Sequence, residues 1–292
     1  MKTHFLLIIT AFLLISCGGN KSDSDAFGNF EALDLLIGAE AQGKVLNLTI
    51  SEGQVLKAGE VVGFIDTLGL YLKKEQLLAQ KDAATARYSQ IDAQIAVQQE
   101  QKQTLLKEKE RFEKLVQQNA APVKQLDDIN GQLSVIEKQI ASTKTQNFSL
   151  SNELKALTFQ VYQINDQIKK SVISNPSAGT VLEKYIEAGE IASPGKAIYK
   201  LADLSVIKLK VYISGSQLGQ VKLGQKVKVR VDAGNDEIKE YEGTISWISE
   251  QSEFTPKIIQ TREERVNLVY AMKVDVVNDG TMKIGMPGEV KF

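Results

Sequence analysis

The feature that most constrains this chain is an internal repeat that a long insertion splits in two. The stretch that begins at Gln42, QGKVLNLTISEGQVLKAGEVVGFI, is similar to AGTVLEKYIEAGEIASPGKAIYKL, which begins 136 positions later at Ala178. Each copy has short β-prone runs with glycines at the turns. Neither copy is long enough to bury a core alone, so we predict that the two form one small β-sandwich. The matched pairs include Gly43 and Gly179, Gly53 and Gly189, and Gly59 and Gly195.

The insertion between the two copies has the pattern of a helical coiled coil. Residues 70–171 contain one glycine and one proline, and apolar residues recur at alternating steps of three and four. The predicted seam of the first arm comprises Leu77, Ala84, Tyr88, Ile91, Ile95, Leu105, Phe112 and Val116. That of the second arm comprises Leu126, Ile129, Leu133, Ile136, Ile140, Leu150, Leu154, Leu157, Val161, Ile164 and Ile168. The seam has polar interruptions at Gln98, Lys102, Thr143 and Asn147.

A break in the middle of the insertion predicts that its two arms fold back on each other. Residues 118–122 (QNAAP) interrupt the periodicity, and Pro122 is typical of the first turn of a new helix. Arms of near-equal length, each about 70 Å at ~1.5 Å per residue, return residue 171 beside residue 69. A parallel coiled-coil dimer would keep the half-repeats apart. We therefore predict an antiparallel α-hairpin over residues 69–171.

After residue 203 the sequence becomes β-rich again. Val227, Val229 and Val231 alternate with basic residues, which indicates a half-buried antiparallel strand. We predict a small barrel or sandwich over residues 204–292, and we expect its one tryptophan, Trp247, to lie in the core. The predicted strands lie at residues 206–213, 226–231, 241–248 and 268–277.

The N-terminus has the features of a processed signal. Lys2 precedes an apolar run over residues 5–15, which at ~1.5 Å per residue crosses about half of a ~30 Å bilayer core. The sequence LISC that ends at Cys17 resembles the lipobox of bacterial lipoproteins, in which the cysteine is lipidated and becomes the first mature residue. We predict a lipoprotein signal peptide over residues 1–16, lipidation of Cys17 and a tether over residues 17–29. An ordinary secretory signal with an unrelated cysteine is the alternative.

Composition excludes several classes of function. The chain has 35 Lys and Arg against 36 Asp and Glu, so we expect no basic surface for nucleic acid. Its one histidine, His4, and its one cysteine, Cys17, lie in or next to the predicted signal. The remaining chain therefore cannot build a Ser-His-Asp or Cys-His site, a His/Cys zinc site or a disulfide. We predict that the protein is not an enzyme, although sites built on carboxylates, lysine or tyrosine stay open.

A lipobox, half-repeats split by a coiled-coil hairpin and a following β domain together closely resemble the HlyD-type membrane fusion proteins, over residues 28–292. The resemblance implies an α+β multi-domain fold without a fourth, membrane-proximal domain. Its parts are a split lipoyl-like β-sandwich (barrel-sandwich hybrid) of residues 30–68 and 172–203, the α-hairpin of residues 69–171 and a β-barrel of residues 204–292. Residues 252–270 and MKIGMP, residues 282–287, are most similar to the lipoprotein subfamily paired with ABC-type exporters.

Members of that family are periplasmic adaptors. The resemblance implies a homo-hexamer, lipid-anchored to the inner membrane of a Gram-negative bacterium, that links an ABC transporter (permease and ATPase) to an outer-membrane channel of the TolC type. An adaptor of a proton-driven RND pump is one alternative. A coiled-coil envelope spacer without transport is another, but a spacer would not need the half-repeats. Carrier domains modify a lysine in the hairpin that joins their halves; here that hairpin is the coiled coil, so we assign no lipoyl or biotinyl cofactor.

The resemblance also points to residues at the hairpin tip. The tip pattern of the family is Arg, three residues, Leu, six residues, and then Ser or Thr. Arg111 and Leu115 match it, and the last position is occupied by Pro122. The resemblance therefore implies that Arg111 and Leu115 contact the channel, while Pro122 departs from the pattern. The alternative is that Leu115 packs within the hairpin and Arg111 is merely solvated.

Overall fold

The computed structural model describes residues 24–232, 234, 237–254 and 268–292. The predicted signal peptide and the lipidation site at Cys17 lie outside these residues. The helices are α1 (Leu68–Gln117) and α2 (Val123–Lys170). The strands are β1 (Ala26–Glu31), β2 (Asp34–Gly38), β3 (Gly43–Leu48), β4 (Val55–Leu56), β5 (Val61–Ile65), β6 (Val172–Ser174), β7 (Gly179–Lys184), β8 (Ile191–Ala192), β9 (Ala197–Ala202), β10 (Val206–Ser214), β11 (Lys226–Asp232), β12 (Ile238–Phe254), β13 (Leu268–Val277) and β14 (Pro287–Lys291).

Helices α1 and α2 form the predicted antiparallel hairpin. The chain returns beside its starting point, because the Ile65 amide donates to the Ser171 carbonyl at 2.8 Å. The packing between the arms follows the predicted seam only in part, and its other members, such as Leu154, are half-buried. The buried side chains are Leu77, Ala84, Ile95, Ile129, Leu133, Ile136, Ile140, Thr143 and Val161.

The polar residues of the seam form a layer midway along the hairpin. Lys102 Nζ lies 2.8 Å from Glu137 Oε1 on the other arm, and the buried Thr143 hydroxyl donates to the Gln139 carbonyl at 2.9 Å. The side-chain oxygens of Gln98 and Asn147 are buried without a hydrogen-bond partner among the described residues. Since unpaired buried polar atoms cost stability, this layer weakens the middle of the hairpin.

The half-repeats interlock into two four-stranded sheets, in the orders β2-β9-β7-β4 and β6-β5-β3-β8. The first half supplies two strands to each sheet, and the second half supplies the other two. The same hydrogen bonds recur at the repeat offset: the Gly53 amide donates to the Val181 carbonyl at 2.8 Å, and the Gly189 amide to the Val45 carbonyl at 2.7 Å. Each half therefore completes the other, as the repeat predicted.

One polar group in the sandwich breaks this symmetry. Asn175 is fully buried where the chain leaves the hairpin, and its amide group donates to the Lys57 carbonyl at 2.9 Å. The Tyr199 hydroxyl donates to Asn175 Oδ1 at 3.0 Å. Burial raises the pKa of Tyr199 to about 12. This pair joins the second half-repeat to the turn before β5 in the first half.

A closed six-stranded barrel follows, in the order β1-β10-β13-β12-β11-β14. The valines of β11 point inward as predicted, with Val229 fully buried. Trp247 does not lie in the core as predicted, and its side chain is 41% exposed. A register shift between Ile245 and Trp247 in β12 interrupts the alternation, so the ring turns outward and Lys273 Nζ lies 5.6 Å from its centroid.

The N-terminal strand corrects the predicted tether. Residues 26–29, assigned to the tether, and residues 30–31, assigned to the sandwich, form β1, which closes the barrel between β10 and β14. Ala26 and Phe30 face the barrel core, where Phe30 is fully buried. Without β1, strands β10 and β14 would each present an unpaired edge, and closure removes both edges.

Candidate functional site

The hairpin tip begins with a tight end to α1. The Ala120 amide donates to the Leu115 carbonyl at 2.8 Å, and the Asn119 amide to the Val116 carbonyl at 3.0 Å. Asn119 has a φ of 54°, which asparagine tolerates better than most residues. This pair of bonds around a left-handed residue is a Schellman motif, which satisfies the last carbonyls of the helix. The tip is therefore a defined turn.

Pro122 sets the start of α2 without being part of the helix. It is exposed, with φ −73° and ψ 139°, and it precedes the first helical residue, Val123. Its carbonyl accepts the Gln125 amide at 3.1 Å. The side chain has no hydrogen-bonding group, so it cannot reproduce a polar contact by the Ser or Thr of the family pattern. Within the described residues, Pro122 fixes the extended backbone that precedes the first turn of α2.

Arg111 extends from α1 into solvent near the tip. Its side chain is 67% exposed, and one guanidinium nitrogen lies 3.6 Å from Glu108 Oε1. The guanidinium carbon lies 5.4 Å from the centroid of the Phe112 ring. Exposed ion pairs of this kind contribute little to stability. The guanidinium can therefore exchange its present partner for an acceptor on another protein at low cost.

Leu115 lies one helical turn after Arg111, so the two residues share a face of α1. Its side chain is half-buried, and its backbone carbonyl takes part in the cap at the end of α1. The structure thus brings Arg111 and Leu115 together and places Pro122 across the turn. Val123, which the family pattern does not include, is a further apolar residue at the tip and is 59% exposed at the start of α2.

The tip carries charges of both signs. Lys114 Nζ lies 3.0 Å from Glu110 Oε1, and Lys109 Nζ lies 3.8 Å from Glu113 Oε1. Within the described residues, no group of three or more His, Cys, Asp and Glu side chains is placed to hold a metal ion. In the same part of the chain, neither helix combines the length and the apolarity that a membrane span requires.

Among known proteins, relatives match almost the whole chain. No protein-family model matches it. A UPF0194 membrane protein of Yersinia pseudotuberculosis serotype O:3 (strain YPIII) is 25% identical, over 94% of this chain and 90% of its own. A UPF0194 membrane protein of Enterobacter sp. (strain 638) is 23% identical, over 100% of this chain and 98% of its own.

Solved structures match the same architecture. MacA from Actinobacillus actinomycetemcomitans superposes with a TM-score of 0.57 at 22% identity, over 91% of this chain and 76% of MacA. The periplasmic adaptor protein EmrA superposes with a TM-score of 0.51 at 18% identity, over 92% of this chain and 97% of EmrA. The chain has the HlyD-type adaptor fold. The predicted fold class of split sandwich, hairpin and barrel is thereby confirmed.

The adaptor fold separates its tip from its β domains by the length of the hairpin. Helix α1 has 50 residues, about 75 Å at ~1.5 Å per residue. The chain enters the barrel at the end farther from the sandwich, where Asp25 donates its amide to the Val290 carbonyl at 2.9 Å.

Proposed function

We propose that the chain is a lipid-anchored, non-enzymatic periplasmic adaptor of an ABC-type efflux or secretion system. Lipidation at Cys17 would hold it on the inner membrane, and the hairpin would carry its tip toward an outer-membrane channel of the TolC type. Six copies would form the working assembly, without a cofactor. The observation that carries this proposal is the adaptor fold, with a capped tip about 75 Å from the β domains at ~1.5 Å per residue.

The comparisons support the setting of this proposal. The relatives are named as membrane proteins, and EmrA is named as a periplasmic adaptor. A lipid anchor fits both names, because it ties a folded chain to a membrane without a spanning helix. Stable anchoring takes more than one acyl chain, since a single chain binds only marginally.

The tip chemistry fits docking onto helical ends of a channel. The Arg111 guanidinium can donate to carboxylates or to the free carbonyls at a helix C-terminus. Leu115 offers a partly exposed apolar side chain one turn away, and Pro122 presents a rigid apolar ring across the turn. We propose these three residues as the docking site, with Arg111 as its polar contact.

Anchoring is tested by Cys17→Ser. We expect loss of lipidation, seen as unprocessed precursor or as protein released from the membrane fraction. An unchanged mature mass together with unchanged detergent partitioning would reject the lipid anchor.

The transporter class is tested by mild-detergent isolation of the tagged full chain from membranes. An ABC partner predicts co-purification of a permease and an ATPase, and ATP hydrolysis by the isolated complex. Co-purification of a proton-driven pump without ATPase would replace the ABC assignment by the RND alternative. A chain that isolates without any transporter would favour an envelope spacer.

A further inference from the structure

The barrel has an apolar hollow on its surface, at the end where the chain enters it. Two exposed side chains form its rim: Leu223 is 69% exposed and Trp247 is 41% exposed. Its floor consists of Leu218, Ile248 and Tyr270, which are half-buried and pack against the barrel core. Neighbouring exposed apolar groups of this size mark an interaction surface.

A tight turn holds Leu223 outward. The Gln225 amide donates to the Lys222 carbonyl at 3.0 Å, and the Lys222 amide donates to Gln225 Oε1 at 2.9 Å. Gly224 has a φ of 81°, which is the left-handed conformation that the third position of a type II turn requires. Leu223 occupies the second position, where the turn requires no apolar side chain. The turn itself therefore does not explain an exposed leucine.

The hollow lies at the end of the barrel that is nearest to the predicted lipidation site. Gln217, on the same β10–β11 loop as Leu223, donates its side-chain amide to the Asp25 carbonyl at 2.8 Å. Cys17 precedes Ser24 by seven residues, which span at most about 25 Å at ~3.6 Å per residue. A lipid on Cys17 therefore keeps this end of the barrel within about that distance of the membrane surface.

The chemistry of the hollow suits the boundary between lipid headgroups and acyl chains. The Trp247 ring combines an apolar body with an N–H group, and such rings are enriched at membrane interfaces. Lys222, next to Leu223, is exposed and forms no ion pair within the part of the chain that the structure describes. Its ammonium group can approach a lipid phosphate while its methylenes lie along apolar surface. Glu250 also lines the hollow, so the contact depends on apolar groups more than on net charge.

We propose that this hollow rests on the bilayer that holds the anchor, with Leu223 and Trp247 in the headgroup region. The inference rests on the lipid anchor of the proposed function. Two apolar side chains are too few to hold the chain on a membrane, since even a single acyl chain binds only marginally. The anchor keeps the hollow at high local concentration beside the bilayer. The contact therefore sets which way the barrel faces on the membrane, and the anchor supplies the attachment.

Trp247 is the one tryptophan of the chain, so its fluorescence reports this contact without a label. The full chain, isolated from membranes with its anchor, is reconstituted in vesicles of phosphatidylcholine with or without bromine on the acyl chains. Bromine quenches indole fluorescence at short range. We expect a loss of Trp247 emission with brominated lipid, in the absence of anionic lipid. The double variant Leu223→Trp with Trp247→Phe moves the probe to the turn and should show the same loss.

A charge on the turn tests whether Leu223 makes the contact. Leu223→Asp should remove most of the quenching and leave the melting temperature unchanged, because the side chain is exposed. Ile238→Asp is the matched control and should keep the quenching. Ile238 is 62% exposed and pairs with Asp232 at the end of β11, whereas Leu223 precedes the start of that strand.

The outcomes separate this contact from the proposed function. Equal emission with plain and brominated lipid, in a chain that stays with the vesicles, would overturn the proposal and favour a protein partner for the hollow. Equal loss of quenching in Leu223→Asp and Ile238→Asp would overturn it too. A chain that does not stay with the vesicles would reject the anchor and, with it, this contact. Quenching of a chain that fails to support export would leave the membrane contact in place and reject the adaptor function.

Discussion

The barrel and the hairpin differ in how deeply they bury their side chains. In the barrel, Phe30, Leu209 and Val290 have no exposed surface, and strands on every side enclose them. Helix α1, by contrast, has 50 residues, of which three are buried. A barrel residue contacts several strands, whereas a hairpin residue contacts only the facing arm.

This difference separates the source of stability from the surfaces that partners can use. The inward-facing residues of the barrel strands are buried in one shared core, and the outer faces carry charge pairs such as Lys208 and Asp275 beside exposed apolar groups such as Trp247. The hairpin keeps only a narrow seam for itself and leaves apolar groups such as Phe148 and Val123 exposed. Truncation of a buried side chain should therefore cost more stability in the barrel than in the hairpin, and substitutions of exposed hairpin residues should act on contacts with other proteins.

The largest effect is expected in the barrel, from Phe30→Ala. Loss of a fully buried aromatic ring leaves a cavity that strands on all sides enclose, at a cost of about 3–5 kcal/mol. Phe27→Ala on the same strand is the control, because Phe27 is 48% exposed. Urea unfolding followed by Trp247 fluorescence measures both. Equal shifts for the two variants would contradict the assignment of β1 to the barrel wall.

Truncation of a buried side chain should cost less stability in the hairpin than in the barrel. Ile136 is 6% exposed, and Ile136→Ala should cost about 2–3 kcal/mol, near the lower end for buried aliphatic truncations. Its neighbour Val135 is 57% exposed, so Val135→Ala should change stability by less than about 0.5 kcal/mol. Thermal melts followed by helical circular dichroism measure both. A cost for Ile136→Ala equal to that of Phe30→Ala would remove the contrast between the two regions.

The hydrogen bond between Tyr199 and Asn175 in the sandwich can be tested through the pH dependence of unfolding. Tyr199→Phe leaves Asn175 Oδ1 buried without its donor, at a cost of about 1–3 kcal/mol. Because burial raises the pKa of Tyr199 from 10.0 to about 12, its contribution is full below pH ~10 and is lost as pH rises toward 12. Unfolding measured from pH 8 to 12 should show the variant losing stability less steeply than the parent. Parallel curves would show that the hydroxyl does not titrate as described.

The smallest effect is expected where the two arms meet in an exposed ion pair. The hydrogen bond from Lys102 lowers the pKa of Glu137 below its ordinary 4.5. The carboxylate therefore contributes stability above pH ~4.5, and this contribution is lost as pH falls through the lowered pKa. Glu137→Gln should have a slightly lower melting temperature than the parent at pH 7. The difference in melting temperature should disappear at low pH or in 1 M salt. A difference in melting temperature that persists under both conditions would mean that the lost stability is not electrostatic.

Repetition made the larger part of the fold predictable. The matched glycines at a fixed offset indicated interlocking halves, and equal arms around residues 118–122 indicated the hairpin. Strand β1 was missed because it lies far in sequence from β10 and β14, and only closure of the barrel reveals its need. Trp247 was misplaced because a bulge changes which face a residue takes, and sequence alternation does not show a bulge.

The candidate site was predictable only as a pattern. The spacing of Arg111 and Leu115 located the tip, but exposure of the guanidinium depends on how the arms pack. The aromatic residues Phe148, Phe159 and Tyr162 of α2 fall outside the seam positions in the sequence, and the structure shows that their side chains are exposed. The degree of their exposure depends on how closely α2 packs against α1, which only the folded hairpin shows.

The most direct test of the proposed adaptor function is export by Arg111→Glu, measured by complementation alongside thermal melts. Arg87→Glu is the matched control, because it reverses the same charge on the same helix, about 36 Å from Arg111 at ~1.5 Å per residue. The docking role predicts strong loss of export for Arg111→Glu, an unchanged melt, and near-normal export for Arg87→Glu. Full export by Arg111→Glu would contradict the docking role and return this residue to an ordinary solvated position.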